Sequence, residues 1–270
     1  MLSKPFNSSI PAIIQPMLRA YVDLLNPELP GFVEAVYLHG SIALNAFDEQ
    51  RSDIDTITVI SRPASESDIQ KLTALHKSLA SQYPRWLLEV SYLQASDLGK
   101  PESAITPHPT YHDNHLEPAG HFDTSPVTWW LLKNKGIAML GSDPQTLPFT
   151  VDWPTLIAYM QPNMNTYWVS FTTNPMRMMR NLSDDGVQWV VLGVLRQYYS
   201  FREHDITSKV GAGEYALNHV PSEWHPLIQD ALAIRQGRKP SNYRSRFTRA
   251  YAVARFVRHI IDESNKQIIK

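Results

Sequence analysis

The sequence runs to 270 residues, enough for one or two domains with a buried core, which excludes a mini-protein or a fibre. Apolar residues make up 43% and charged residues 19%, an ordinary globular balance, and no stretch approaches the roughly 18 consecutive apolar residues of a membrane helix. With zero cysteines, disulfides, thiol nucleophiles, iron–sulfur clusters and Cys-based zinc sites are excluded, so chemistry falls to carboxylates, His, Ser, Tyr, Lys or a metal held by oxygen.

The formal net charge of −1 hides an asymmetry: residues 235–270 carry ten Lys/Arg against Asp262 and Glu263, a local +8, which leaves −9 on the first 234 residues. An acidic body attracts a cationic ligand, while the basic tail reads as a solvated helix before it reads as a phosphate contact. The N-terminal MLSKPFNSSIPAIIQPM is broken by prolines and polar residues before a secretory apolar run can build, so a cytoplasmic protein without a cleaved leader is expected.

In chain order, residues 12–25 carry a helical stripe through Ile13, Ile14, Met17, Leu18, Tyr21, Leu24 and Leu25 that ends near Pro27 and Pro30. VEAVYLHGS reads as a strand running into Gly40 and Ser41, and SDIDTITVI alternates as a second strand. Ser67 with Gln70 resembles a capping box opening a helix over Ile69, Leu72, Leu75 and Leu79, closed before Pro84; WLLEVSYL gives a third strand. Residues 95–126, rich in proline and histidine, read as a long loop of the kind that forms lids. Ser125-Pro126 is an N-cap and N1 pair for a helix closed by Gly136, and IAMLG follows as a short strand. A Pro-rich linker is expected around 142–154, then helices alone, near 155–173, 187–202, 208–219, 223–236 and 243–263. The expected architecture is an α/β (α+β) domain with a mixed sheet over 1–150 and an all-α bundle over 151–270.

Chemistry concentrates on the strands. Because side chains alternate along a strand, Asp53 and Asp55 share one face, about 6–7 Å apart in Cα terms, a spacing suited to sharing divalent cations. Glu89 lies in the apolar run Trp86, Leu87, Leu88, Val90, where a lone carboxylate is costly to bury. If its strand neighbours that of Asp53 and Asp55, three acids converge as Mg²⁺-dependent phosphoryl or nucleotidyl transfer requires. Gly40 then admits phosphates to the backbone, Ser41 donates to a phosphate oxygen, Asp53 and Asp55 hold the metal, and Glu89, its pKa raised by its surroundings, serves as general base.

HGSIALNAFDEQRSDIDTITVI resembles the Gly-Ser, Asp-x-Asp signature of the nucleotidyltransferase superfamily, and LLEVSYL its third acidic strand. WVVLGVLRQYYSFREHDITSKVGAGEYALNHVP resembles the C-terminal helical domain of the aminoglycoside adenylyltransferases that modify streptomycin and spectinomycin. The resemblance runs over residues 30–240, with 95–125 matching poorly. It implies transfer of AMP from ATP to a drug hydroxyl with release of pyrophosphate, with ATP as co-substrate and Mg²⁺ as cofactor. It further implies Ser41 and Ser52 near the triphosphate, Asp53 and Asp55 as metal ligands, Glu89 as base, and Arg196 and Lys209 as phosphate-binding residues. Ser208 as N-cap and Lys209 at a helix start make an anion site on their own account.

The sequence departs from the family at Leu44, Asn45 and Ala46, where glycines are usual, and at NLSDDGVQW, where Asp185 is displaced and Gln188 or Trp189 replaces a histidine. For the drug-stacking aromatic, Tyr111, Phe122, Trp129 and Trp130 are candidates, the two tryptophans reading first as core. The alternatives are another acceptor (a lincosamide, a metabolite, a protein or an RNA end) and a catalytically weak ligand-binding protein of the same fold. A zinc site at His108, His112 and His115 is discounted because Pro107 and Pro109 break the helix it needs. The Met-rich run NPMRMMRNL reads as bundle packing. Expected partners are ATP and a cationic small molecule rather than a membrane or nucleic acid.

Overall fold

The computed structural model describes residues 8–240 and 242–268. The chain divides between Val151 and Asp152 into two compact units. Among the described residues no helix is long and apolar enough to cross a membrane.

The first unit runs α1 (Gln15–Glu28), β1 (Val33–Leu38), α2 (Gly40–Ala43), β2 (Ile54–Ile60), α3 (Glu66–Gln82), β3 (Leu88–Gln94), β4 (His108–His112), β5 (His115–Gly120), α4 (Pro126–Lys135) and β6 (Ile137–Leu140). The strands form one mixed sheet in the order β5-β4-β3-β2-β1-β6, parallel between β2 and β3 and antiparallel elsewhere. Alternation along the strands sorts side chains between two cores. Ile54, Val36, Leu38, Leu88, Val90 and Tyr92 pack with Met17, Leu18 and Tyr21 of α1 and Leu72, Leu75 and Leu79 of α3. On the opposite face Ile57, Val59, Tyr37 and Leu93 pack with Trp129 and Leu132 of α4. Each such side chain, fully buried, contributes about 1.5–3 kcal/mol. Asp55 and Glu89 belong by parity to the α4 face.

Three sequence expectations need correction in this unit. The long loop over 95–126 contains the hairpin β4–β5, which extends the sheet. Asp113 and Asn114 both adopt the left-handed backbone, φ 50 and 58, as a two-residue hairpin turn of matching twist demands. Pro109 sits where the register shifts between His108 and Thr110, and Pro118 lies on the edge strand, the two places a sheet tolerates proline. Second, α3 is capped by Ser65 rather than Ser67. Ser65 Oγ accepts from Asp68 N–H at 3.2 Å, Asp68 Oδ2 accepts from Ser65 N–H at 2.8 Å, and Arg62 Nη1 donates to the same carboxylate at 2.6 Å. Third, the linker expected around 142–154 does contain the boundary between the units, but Leu147, Phe149 and Val151 within it pack on the α4-side core.

The second unit has helices and no strand among its described residues: α5 (Trp153–Asn163), α6 (Ser170–Thr173), α7 (Pro175–Arg180), α8 (Asp184–Glu203), α9 (Lys209–Ala216), α10 (His225–Arg235) and α11 (Arg246–Ile268). The expected single helix over 155–173 is interrupted by a π-helical stretch, Met164–Trp168, just after Pro162, whose missing N–H and bulky ring disturb the α ladder. NPMRMMRNL forms α7, capped by Asn174, with Met176, Met178 and Met179 exposed rather than packed. α8 is the central rod, apolar on most of its circumference, with α9, α10 and α11 laid against it. Gly193 lets Trp168 lie on α8, since a Cβ there would come 2.1 Å from Trp168 Cη2. Asp184, at the start of α8, pairs with the buried Arg249 of α11.

Candidate active site

Asp53 immediately precedes β2, Asp55 is its second residue, and Glu89 is the second residue of β3. The parallel register pairs Ile54 with Leu88 and Asp55 with Glu89, which sets the two carboxylates side by side on the α4 face. Asp53, two residues before Asp55, joins them. One carboxylate oxygen from each of Asp53, Asp55 and Glu89 lies within 4.8 Å of the other two. Such crowding is possible because this end of the sheet is half open: all three side chains are partly exposed.

The electrostatics follow from that crowding. Burial pushes the Asp55 carboxyl up to about 6, relieved in part by the neighbouring His39 and by the Ser41 backbone N–H, and reinforced by Asp53 and Asp123. Burial also pushes Glu89 up to about 8, and Asp53, Asp55, Asp123 and Asp113 add to the rise in that order. Negative charge is gathered here beyond what the local partners neutralise. An oxygen-only donor set of this kind suits a hard divalent cation such as Mg²⁺.

The β1–α2 turn closes over the acids. Gly40 has φ +57, and a Cβ at this position would fall 1.8 Å from Asp55 Oδ2, so only glycine permits the approach. Ser41 Oγ is buried without a hydrogen-bond partner, a polar group in want of a ligand atom. Ser52 is tied into the preceding loop, where its Oγ accepts from Asp48 N–H at 3.0 Å and its own N–H donates to Asp48 O at 2.9 Å.

Arg196 and Lys209 belong to the second unit, at the corner where α8 passes the start of α9. Arg196 Nε donates to Thr207 O at 3.2 Å, Ser208 caps α9 by accepting from Gly211 N–H at 3.0 Å, and the Lys209 ammonium stands 4.4 Å from the Trp189 ring centre. Of the aromatic candidates, Trp129 is core, Tyr111 is buried and stacked on His76 at 3.7 Å, and Phe122 stacks on His112 at 4.6 Å. His108, His112 and His115 do not meet as a metal group; among the described residues the acidic trio alone has that geometry.

Two residues at this site escape sequence reasoning. His39, beside the Gly-Ser turn, is 3% exposed, and Asp123 lies on the loop between β5 and α4, its Oδ2 3.5 Å from His39 Nε2. The hint for His39 was its place next to Gly40. Asp123 was hidden inside a segment read as loop.

Residues 18–101 match the family described as nucleotidyltransferase domain, and residues 163–263 match that described as aminoglycoside adenylyltransferase, C-terminal domain. The chain joins a nucleotidyltransferase domain to the C-terminal domain of the aminoglycoside adenylyltransferases. The fold class is the one expected from sequence, a nucleotidyltransferase domain with a mixed sheet followed by a helical domain, and the β4–β5 hairpin brings the sheet to six strands. A crystal structure of spectinomycin adenyltransferase AAD(9) from Enterococcus faecialis, with ATP and spectinomycin, matches with a TM-score of 0.67 and 13% identity, covering 93% of this chain and 98% of that one. At that identity the likeness speaks for the fold. No curated protein sequence matches at a significant level.

Proposed function

We propose that this adenylyltransferase-family enzyme moves AMP from ATP to a hydroxyl of a small cationic acceptor of the streptomycin or spectinomycin type and releases pyrophosphate. The observation that carries the reading is the convergence of Asp53, Asp55 and Glu89 within 4.8 Å. Asp53 and Asp55 hold Mg²⁺, which when bound neutralises triphosphate charge and polarises the phosphoryl group under attack. Gly40 leaves room for the phosphates, and Ser41 Oγ, buried and unpartnered, donates to a phosphate oxygen. Ser52 keeps the adjoining loop in place through Asp48. In the second unit, Arg196 and Lys209 keep the phosphate-binding character that the family resemblance gives them, Lys209 in the first turn of α9, where helix dipole and ammonium act together.

In the transfer step the acceptor oxygen bonds to the α-phosphorus while its proton passes to a Glu89 carboxylate oxygen. The bond from that phosphorus to the bridging oxygen breaks, and its electron pair leaves with pyrophosphate. Glu89 must be ionised to accept the proton, and a carboxyl poised at about 8 is a strong base once ionised. A net charge of −9 on the first 234 residues favours a cationic acceptor. That the similar AAD(9) structure contains ATP and spectinomycin supports the choice of acceptor class.

The test is a panel assay with α-labelled ATP and Mg²⁺ in the presence of streptomycin, spectinomycin, a lincosamide or buffer. Label should move to streptomycin or spectinomycin with stoichiometric pyrophosphate. Transfer to the lincosamide alone, or no pyrophosphate with any acceptor, overturns the assignment.

A further inference from the structure

His39 is buried beside the carboxylates. Its backbone N–H donates to Asp55 O at 3.1 Å, which pins the end of β1 to the start of β2 at the site. Its buried ring lies 3.5 Å from Asp123 Oδ2, and its proximity to Asp55 draws that carboxyl's pKa down. Asp123 is itself held on the far side. Its Oδ1 accepts from Thr128 Oγ1 at 2.5 Å, Thr128 is buried in the first turn of α4, and the Thr128 N–H donates to the N-cap Ser125 Oγ at 3.2 Å. Asp123 takes this placement with a left-handed backbone, φ 52, a region that aspartate enters more readily than most non-glycine residues.

We propose that His39 and Asp123 are a positioning pair: Asp123, anchored by Thr128, fixes the His39 ring, and His39 holds the Asp55 carboxylate and the Gly40–Ser41 turn in the arrangement that receives a divalent cation. The inference rests on the reading of Asp53 and Asp55 as cation ligands and adds the residues that aim them. Groups that orient metal ligands from behind commonly change metal affinity by about 10–100-fold when removed.

The experiment is Mn²⁺ binding followed by electron paramagnetic resonance of the free ion, with thermal unfolding of each variant as a check on folding. Wild type should bind Mn²⁺. His39→Phe, which keeps the ring and loses both nitrogens, should bind about 10–100-fold more weakly, and His39→Gln should recover part of the loss. Asp123→Asn should weaken binding, and adding it to His39→Phe should cost nothing more, because it acts through the ring. Should His39→Phe fail to fold, Thr128→Val, at the far end of the line, must still weaken Mn²⁺ binding. Wild-type affinity in folded His39→Phe, or in Thr128→Val, overturns the proposal. So do His39→Phe and Asp123→Asn losses that multiply, since Asp123 then acts alone. Failure of wild type to take up Mn²⁺ overturns the underlying assignment of Asp53 and Asp55, and this pair with it.

Discussion

Asp55 and Glu89 are register partners on adjacent parallel strands, Cα opposite Cα, and both face the side of the sheet covered by α4. A shift of one residue in the pairing of β2 with β3 would send one carboxylate into the α1–α3 core. The apolar residues on either side, Ile54 and Leu88, are buried in that core and hold the register. Packing on one face of the sheet thus fixes the chemistry on the other.

The acids are gathered at a cost to stability. Glu89 has a folded-state pKa of about 8 against an ordinary 4.5, so the folded chain binds its proton more tightly than the unfolded chain does. The stability associated with that proton is full below about 4.5 and is lost as pH rises through about 8. In metal-free protein Glu89→Gln should therefore raise the unfolding temperature at pH 8 and change little at pH 4. Thermal denaturation at the two pH values checks this; a lowered unfolding temperature at pH 8 contradicts the electrostatic account.

Gly40→Ala should abolish nucleotidyl transfer while leaving a folded protein. The new methyl would fall 1.8 Å from Asp55 Oδ2, displacing the carboxylate, and φ +57 adds backbone strain of about 1 kcal/mol. Steady-state turnover and thermal unfolding, measured together, separate the two effects. Turnover within threefold of wild type would show that the close approach of Gly40 to Asp55 is not required.

His76 weighs against the folded state in acid. It is buried, its Nε2 lies 2.7 Å from Tyr92 Oη in a chain that continues to Tyr21 and Thr58, and its ring stacks on Tyr111. Burial lowers its pKa to about 3 from 6.5. Below 6.5 the unfolded chain gains a proton that the folded chain refuses, so stability falls as pH drops from 6.5 towards 3. His76→Gln should be less stable than wild type at pH 7.5, and the gap between their urea midpoints should narrow towards pH 5, since the opposing contribution of the Glu89 proton is common to both. Parallel slopes would exonerate His76.

Gly193→Ala should destabilise the helical unit by about 1–3 kcal/mol through overpacking against Trp168. Trp168→Phe in the same chain should return part of that loss, and a urea double-mutant cycle measures the coupling. Strictly additive losses would place the strain elsewhere.

Much of this architecture can be read from local pattern. The helices of the second unit follow apolar periodicity, and the shared face of Asp53 and Asp55 follows from the two-residue period of a strand. The β4–β5 hairpin is not legible in that way: Asp113-Asn114 lacks the glycine that marks such turns, and Pro109 and Pro118 argue locally against strands. Tertiary pairing with β3 and the stacking of Tyr111 on His76 override those signals. The Ser65 cap was obscured because Asp68, rather than the expected glutamate or glutamine, closes the box. His39 and Asp123 are 84 positions apart, and only the fold brings α4 to the end of β1.

The most direct measurement compares wild type with Glu89→Gln under two readouts, calorimetric binding of ATP with Mg²⁺ and pyrophosphate release in the presence of spectinomycin or streptomycin. Wild type should bind and turn over, while Glu89→Gln should bind ATP within a few-fold of wild type and turn over about 10²–10⁴-fold more slowly. Pyrophosphate release by Glu89→Gln at the wild-type rate would contradict Glu89 as the proton acceptor and the three-carboxylate centre built around it.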